Sequence, residues 1–118
     1  MKTIFIVDDS DTNLAAAEEV LEDYFRVMTL PSAYKMFSLL EKIVPELILL
    51  DIEMPEMDGF EALQRLKADN SWSNIPVIFL TGTINENIRE KSLKLGAVDI
   101  VTKPFVSSVL LNLINSHV

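Results

Sequence analysis

The chain has no cysteine and a single histidine, His117, which is the last residue but one. The absence of cysteine excludes disulfides, thiolate metal sites and cysteine nucleophiles, and it suits a reducing compartment, so we expect a cytoplasmic protein. One histidine also excludes metal sites built from several imidazole ligands. Any divalent ion must therefore be held by oxygen atoms, above all by carboxylates.

Long hydrophobic runs and positive charge are also scarce. No apolar run approaches the roughly 18 residues that cross a bilayer, and the opening segment MKTIFIVDD reaches two acids after four apolar residues. We therefore expect neither a signal peptide nor a membrane anchor. Lys and Arg number 10 against 18 Asp and Glu, and the net charge of −8 argues against direct binding to nucleic acid or to an anionic membrane.

A length of 118 residues and a hydrophobic content of 49% predict one domain over residues 1–118 with a real core. Short apolar runs rich in Ile, Val and Phe alternate with longer segments, which is typical of strands buried on both faces. The predicted strands are Thr3–Val7, Phe25–Leu30, Leu47–Leu50, Val77–Leu80 and Ile100–Val101.

The segments between and after these runs carry apolar residues at steps of three and four, which predicts five helices. The apolar positions are Leu14, Ala17, Val20, Leu21 and Tyr24; Ala33, Met36, Phe37, Leu40 and Val44; Phe60, Leu63 and Leu66; Ile84, Ile88 and Leu95; and Val106, Val109, Leu110 and Leu113. Asp58 with Glu61 has the spacing of a capping box. Thr83 with Glu86 repeats that spacing, and Gly96 stands where a left-handed residue would end the fourth helix.

The strict alternation of five strands and five helices predicts an α/β fold whose parallel strands are joined by right-handed crossovers. Such a chain forms a five-stranded doubly wound sheet with helices on both faces. In sheets of this class the functional crevice lies beyond the carboxyl ends of the strands. The residues that follow each strand are therefore the candidates for chemistry.

Polar side chains follow four of the five predicted strands. The first strand runs into Asp8 and Asp9, and the third runs into Asp51. Thr81 follows the fourth strand, and Lys103 comes shortly after the fifth. Three carboxylates brought to one edge of a sheet repel one another, so this pattern predicts a divalent metal, a nearby lysine, or both.

The acidic residues suit a magnesium site that contains a nucleophile. Asp51 follows four apolar strand residues, where an isolated charge is costly, and its carboxylate can attack phosphorus to form an acyl phosphate. Asp8, Asp9 and Asp51 would hold Mg²⁺, directly or through water. We expect the backbone carbonyl of Glu53 to be a further metal ligand.

The other residues at this edge suit a bound phosphoryl group. The hydroxyl of Thr81 and the ammonium of Lys103 would contact phosphoryl oxygens. Gly82 would leave room for the group and offer its own N–H. Asp51, Thr81 and Lys103 are therefore the predicted catalytic residues, and Thr81, Gly82 and Lys103 are the predicted phosphate ligands.

Four segments carry a resemblance to a known family: IFIVDDSDTN, LILLDIEMPEMDGFEAL, IPVIFLTGT and GAVDIVTKPF. In their order and spacing the whole chain resembles the response regulator receiver domain of two-component signalling, of the kind found in chemotaxis regulators. The resemblance implies a flavodoxin-like fold with strand order 2-1-3-4-5. It also implies that Asp51 takes its phosphoryl group, with Mg²⁺, from the phosphohistidine of a sensor histidine kinase or a histidine phosphotransfer protein.

The resemblance further implies how the domain would signal. Thr81 would be the switch hydroxyl, and the bond between Lys103 and Pro104 would be cis. Phosphorylation would shift the fourth helix, fifth strand and fifth helix, a face read by a downstream protein, by a covalently linked effector domain or by a second copy in a homodimer. The domain would catalyse only its own phosphorylation and dephosphorylation, so it would not be an enzyme in the usual sense.

Two positions depart from the family pattern. Ile100 stands three positions before Lys103, where the family usually has an aromatic residue, and its stiff χ1 argues against an aromatic form of the switch. Ile100 is either a switch residue of another kind or an ordinary buried strand residue. Glu53, two positions after Asp51, replaces a smaller or amide side chain, and its carboxylate would either repel hydroxide or orient a water.

Other functions account for fewer of these residues. The run Asp9-Ser10-Asp11 resembles the motif of haloacid dehalogenase-like phosphatases, but Asn13 does not fit that motif. A flavin-binding module would need a hydroxyl-rich phosphate loop in place of carboxylates. The alternative that stays open is a receiver fold used for docking or dimerisation, with phosphorylation secondary. The sequence also leaves open whether the domain stands alone or belongs to a longer regulator.

Overall fold

The computed structural model of the protein describes all residues from Met1 to Val118. Strands and helices alternate along the whole chain. The strands are β1 (Thr3–Val7), β2 (Arg26–Leu30), β3 (Leu47–Asp51), β4 (Val77–Thr81) and β5 (Asp99–Thr102). The helices are α1 (Asp11–Leu21), α2 (Ala33–Leu40), α3 (Gly59–Ala68), α4 (Glu86–Leu95) and α5 (Ser107–His117).

All five strands are parallel, and their spatial order is β2-β1-β3-β4-β5. The predicted doubly wound, flavodoxin-like fold is therefore confirmed. The chain first adds β2 on one side of β1 and then builds the rest of the sheet on the other side. The connection after β1 leads to one side of the sheet, and the connection after β3 leads to the other. Because these two connections diverge, a crevice opens at the carboxyl ends of β1 and β3.

Helices cover both faces of the sheet and divide the core into two layers. One layer lies under α2, α3 and α4, and the other lies under α1 and α5. Side chains of β1 alternate between them, with Phe5 and Val7 in the first layer and Ile4 and Ile6 in the second. The strands β1, β3 and β4 are buried along their whole length, which explains why they are continuous apolar runs in the sequence.

The predicted apolar stripe of the fifth helix is wrong at two positions. Val106 and Val109 are 64% and 48% exposed, whereas Leu110 and Ile114 are fully buried. This helix has apolar residues on several sides, so a period of three and four residues fits more than one face. Packing against the sheet, which the period does not encode, selects the face that contains Leu110 and Ile114.

The first two predicted stripes extend beyond their helices. Tyr24 follows the end of α1 and is 60% exposed, and Val44 follows the end of α2 and is 56% exposed. Both helices end earlier than the apolar spacing suggests, because Glu22 caps the end of α1 and Glu41 caps the end of α2. Tyr24 and Val44 lie in the connections after the helices, and they continue the spacing of three and four residues only by chance. The spacing alone therefore does not reveal where a helix ends.

Side-chain caps start four of the five helices. Ser10, Ser32, Asp58 and Asn85 each accept a hydrogen bond from a backbone N–H three residues further on. The predicted capping position at Asp58 is confirmed, and Gly96 ends α4 with a left-handed φ of 108° as predicted. The predicted cap at Thr83 is wrong, because the helix begins two residues later and Asn85 is its cap.

The fourth helix is only lightly attached to the core. Ser92 is its one fully buried residue, and its hydroxyl donates to the carbonyl of Ile88 within the same helix. Leu93 on the same helix is 49% exposed. A helix with so few buried apolar contacts has little free energy opposing a shift in its position.

None of the helices has both the length and the apolar character required to span a membrane.

Candidate functional site

Three carboxylates meet in the crevice at the carboxyl ends of β1 and β3. Oxygen atoms of Asp8, Asp9 and Asp51 lie within 4.8 Å of one another. Asp8 and Asp51 are 1% and 2% exposed, while Asp9 faces solvent. Buried carboxylates at this density require cationic partners, because their desolvation and mutual repulsion are otherwise uncompensated.

Lys103 supplies one of these cationic partners from the loop after β5. Its Nζ donates to Oδ1 of Asp51 at 2.9 Å and to Oδ2 of Asp8 at 3.2 Å. The side chain of Lys103 is 16% exposed, so its ammonium reaches into the crevice from the rim. Its backbone N–H donates to the carbonyl of Thr81 at 2.8 Å, and the bond to Pro104 is cis. The hydrogen bond to Thr81 holds the backbone of Lys103 beside the end of β4.

The two charged partners respond differently to burial. Desolvation raises the pKa of Asp51 to about 6, the charge of Asp8 adds to this increase, and the hydrogen bond from Lys103 opposes it. For Lys103 desolvation works towards a lower pKa, but the hydrogen bond to Asp51 and the charges of both carboxylates outweigh it, so the pKa rises above its ordinary value. The ammonium is therefore firmly held, and Asp51 is a carboxylate whose charge is only partly compensated.

The carboxylate of Asp8 is oriented by three donors. Its Oδ1 accepts from the backbone N–H of Ser10 at 2.9 Å. Its Oδ2 accepts from the side-chain amide of Asn13 at 3.2 Å as well as from Lys103. The contact of Asn13 was not predicted, because an amide on the first turn of a helix gives no sequence signal of the residue that it faces.

Thr81, at the end of β4, is fully buried, and its hydroxyl lies between two acceptors. The carboxylate oxygen Oε1 of Glu53 is 3.2 Å away, and the carbonyl oxygen of Thr83 is 3.0 Å away. The same hydroxyl accepts from the backbone N–H of Thr83 at 3.2 Å. The backbone N–H of Glu53 donates to Oδ1 of Asp51 at 3.3 Å. Glu53 therefore contacts both Asp51 and Thr81.

Two glycines near the site differ in how closely they are surrounded. A Cβ on Gly59 would lie 2.4 Å from the carbonyl oxygen of Asp51 and 2.8 Å from the Cα of Ile52. The first turn of α3 thus packs directly on the backbone of Asp51 and Ile52, at the end of β3. The sequence did not reveal that Gly59 is needed for this close approach. A Cβ on Gly82 would meet nothing within 4 Å, so open space lies beside it.

Ile100, in β5, is 6% exposed and packs in the core layer under α2, α3 and α4. It pairs with Phe79 across the β4–β5 ladder. A shallow cavity of about 210 Å³ lies beside it, lined mainly by apolar residues that include Ile84, Pro104 and Val109. Ile100 is thus a buried strand residue that borders open space on the face formed by β5 and α5.

The donor set of the crevice fits a hard divalent cation. The cluster consists of three carboxylates, Asp8, Asp9 and Asp51, and carboxylate oxygen is the ligand type that Mg²⁺ prefers. Three carboxylates with one ammonium leave an excess of two negative charges when all are ionised. Asp9 has no hydrogen-bonded cation, and it faces the solvent from which an ion would enter.

A sequence model of the family described as the response regulator receiver domain matches residues 4–115. The chain belongs to this family. Receiver domains are phosphorylation-dependent signalling switches of two-component systems, and this is the function class of the chain.

Individual relatives agree with this assignment. A probable cyclic di-GMP phosphodiesterase of Vibrio cholerae is 39% identical over 115 residues, which is 98% of this chain and 26% of the relative. The chain thus spans about a quarter of that protein. The receiver domain of a signal transduction histidine kinase from Syntrophus aciditrophicus has a TM-score of 0.89 at 32% identity, covering 98% of this chain and 89% of the other.

A further solved structure concerns the metal. The receiver domain of a sensor histidine kinase from Pseudomonas aeruginosa superposes with a TM-score of 0.89 at 26% identity, covering 98% of this chain and 96% of that one. It was solved with a magnesium ion coordinated in its active-site cleft. Receiver domains therefore bind Mg²⁺ in the acidic cleft, and this chain has an acidic cluster in its own cleft.

Proposed function

We propose that residues 1–118 form a phosphoacceptor domain in which Asp51 receives the phosphoryl group. The observation that carries the proposal is the environment of its carboxylate, which is 2% exposed and accepts a hydrogen bond from Lys103 at 2.9 Å. Oxygens of Asp8 and Asp9 lie within 4.8 Å of it. A buried carboxylate with partly compensated charge, at the mouth of a crevice, is suited to attack an electrophilic phosphorus.

The proposed donor is a phosphohistidine. An oxygen of Asp51 forms a bond to phosphorus while the bond between phosphorus and the imidazole nitrogen breaks. The electron pair of the broken bond stays on that nitrogen, which takes up a proton as the donor histidine leaves. Once Asp51 is phosphorylated, its carboxyl group no longer carries the charge that held Lys103, and the ammonium is free to pair with a phosphoryl oxygen.

Asp8, Asp9 and Asp51 would hold Mg²⁺ through carboxylate oxygens, with the backbone carbonyl of Glu53 as a further ligand. Bound in this way, Mg²⁺ neutralises charge on the oxygens of the transferred group. The hydroxyl of Thr81 and the N–H of Gly82 are the proposed contacts for the remaining phosphoryl oxygens. The open space beside Gly82 supports this assignment, because a phosphoryl group can be accommodated there without moving backbone.

The proposed switch links Thr81 to the face formed by α4, β5 and α5. Movement of the Thr81 hydroxyl towards a phosphoryl group breaks its bonds to Thr83, and Thr83 lies in the connection that leads into α4. Because α4 has a single fully buried residue, a small displacement of this connection can shift the helix. Ile100 takes part as a residue of β5 that borders this face, without the inward and outward rotation that an aromatic side chain would make.

The proposed partners follow from this mechanism. A sensor histidine kinase or a histidine phosphotransfer protein would donate the phosphoryl group, and a downstream protein or a covalently linked effector domain would read the altered face. Relatives in which the receiver forms a small part of the protein support a linked effector. We further propose a cytoplasmic location and no catalysis beyond the domain's own phosphorylation and dephosphorylation. A homodimer through the same face remains a prediction.

The first experiment is phosphorylation by acetyl phosphate in the presence of Mg²⁺, followed by intact mass spectrometry. We expect a mass gain of one phosphoryl group that disappears in Asp51→Asn and with a chelator. Asp23→Asn is the matched control, because Asp23 is exposed and precedes β2 at the opposite end of the sheet. A gain that persists in Asp51→Asn would assign the phosphoryl group to another residue.

The docking or dimerisation module with secondary phosphorylation has no observation in its favour. Its signature would be a disrupted crevice, whereas Asp51, Thr81 and Lys103 all lie at the same edge. A phosphohistidine donor tests it directly, since a docking module would bind such a donor without accepting its phosphoryl group.

A further inference from the structure

The contact between Glu53 and Thr81 bridges the crevice and is explained neither by metal binding nor by phosphoryl transfer. The two residues are 28 positions apart, one in the loop after β3 and the other at the end of β4. Oε1 of Glu53 lies 3.2 Å from the Thr81 hydroxyl, which has no solvent exposure. The carboxylate of Glu53 is a stronger acceptor than the neutral carbonyl of Thr83, because a charged partner makes the hydrogen bond stronger.

We propose that Glu53 is a positioning residue that holds the Thr81 hydroxyl in its resting place and is displaced when Asp51 is phosphorylated. This role rests on the proposed function of Asp51. The hydroxyl has one proton, which has Oε1 of Glu53 at 3.2 Å and the carbonyl oxygen of Thr83 at 3.0 Å as its resting acceptors, so donation to a phosphoryl oxygen must displace both. The resting contact therefore competes directly with the contact that the switch requires.

Displacement follows from the position of the Glu53 backbone. Its N–H donates to Oδ1 of Asp51 at 3.3 Å, so the residue stays beside the phosphorylated side chain. The phosphoryl group carries up to about two negative charges where the carboxylate of Asp51 carried one, and like charges close together in a partly desolvated crevice repel strongly. The Glu53 side chain is on the solvent side and can swing outward. The same charge that attracts Thr81 thus expels Glu53.

Two substitutions separate the hydrogen bond from the charge. Glu53→Gln removes the charge but keeps an oxygen that can accept from Thr81, whereas Glu53→Ala removes both. If Glu53 acts only through general repulsion of anions, the two variants behave alike. If Glu53 holds Thr81, the alanine variant releases the hydroxyl further than the glutamine variant does.

The first readout needs neither metal nor phosphate. The N–H of Thr83 donates to the Thr81 hydroxyl at 3.2 Å, so its NMR shift reports the position of that oxygen. In the metal-free protein we expect a clear shift of the Thr83 amide in Glu53→Ala and a smaller one in Glu53→Gln. Equal shifts in the two variants would refute the role of Glu53.

The second readout is the affinity for beryllofluoride with saturating Mg²⁺, since this complex mimics an aspartyl phosphate. We expect Glu53→Gln to bind about threefold more tightly than the unaltered protein, and Glu53→Ala about tenfold more tightly. In a Thr81→Val background the difference between the two variants should vanish, because the hydroxyl that distinguishes them is gone. A difference that persists there would overturn the proposal.

The two hypotheses fail in different ways. If the unaltered protein binds no beryllofluoride, the phosphoacceptor role of Asp51 is refuted, and with it the displacement step. The comparison of Thr83 amide shifts does not depend on Asp51, and it decides by itself whether Glu53 holds Thr81.

Discussion

Replacing Gly59 by alanine tests how closely α3 must approach the residue that carries the proposed phosphoacceptor. A Cβ at this position would lie 2.4 Å from the carbonyl oxygen of Asp51, where ordinary contact begins at about 3.4 Å. The first turn of α3 would therefore have to retreat by about 1 Å. The obstructing atoms are backbone, so no side chain can move aside to relieve the contact.

The expected loss of stability follows from three contributions. Steric overlap in a packed region costs about 1 to 3 kcal/mol. The retreat also stretches the bond from the Gly59 N–H to the carbonyl of Ile52, now 2.8 Å long, and losing it costs about 1 kcal/mol. Against these, alanine is a better helix former than glycine by up to about 1 kcal/mol. We expect Gly59→Ala to lower the free energy of unfolding by about 2 kcal/mol.

The assay is urea denaturation followed by the fluorescence of Trp72, which contacts Phe37 with ring centroids 5.7 Å apart. Gly82→Ala is the matched control, because an added Cβ there meets nothing within 4 Å. We expect the control to stay within about 0.5 kcal/mol of the unaltered protein. If Gly59→Ala is equally mild, the close approach of α3 to Asp51 is not a structural requirement and our reasoning is wrong.

Three further predictions concern charge and capping. Because the folded protein raises the pKa of Asp51 to about 6, it binds this proton more tightly than the unfolded chain does. The contribution of Asp51 to the stability of the metal-free protein should therefore fall as the pH rises from 4 to 7. In urea titrations, Asp51→Asn should reduce that fall in stability by about 1 kcal/mol. This is less than the full pKa shift implies, because water reaches the crevice. A pH profile of stability that is the same in Asp51→Asn and in the unaltered protein would contradict this prediction. Lys103→Met should destabilise the protein by about 2 kcal/mol at pH 8, because it leaves the charged Asp8 and Asp51 without their ammonium partner. The loss should be smaller at pH 5, because Asp51 takes up a proton there. Equal losses of stability at the two pH values would refute this prediction. Asn85→Ala should cost about 1 kcal/mol of thermal or urea stability through loss of the α4 cap, and Thr83→Ala should cost less; the reverse order would restore Thr83 as the cap.

Much of the fold was predictable because its signals are local. Strands buried on both faces are continuous apolar runs, and the alternation of five such runs with helical segments leaves few arrangements other than a parallel sheet. The errors occur where the local signal is ambiguous. The apolar residues of α5 and Val106 just before it fit two faces, and only contact with the sheet selects Leu110 and Ile114 over Val106 and Val109.

The site was predictable to the extent that strand ends converge. Asp8, Asp9 and Asp51 were expected at one edge because each follows a strand, and their oxygens lie within 4.8 Å. The environment of Thr81 was harder to anticipate. Its position at the end of β4 followed from the sequence, whereas its hydrogen bond to Glu53 depends on the path of the loop after β3. The path of such a loop cannot be predicted from the spacing of apolar residues, because a loop has no regular spacing.

The amino-acid sequence by itself determined the order of the elements, the parallel sheet and the set of polar residues at its carboxyl edge, because hydrophobic period and strand ends depend on neighbouring residues. Only the tertiary structure decided which of these groups touch. The contacts of Glu53 with Thr81, of Asn13 with Asp8 and of the Gly59 backbone with Asp51 join different elements or loops. Each depends on differences of an ångström between segments packed in three dimensions, and such differences are fixed by the packing of the whole core.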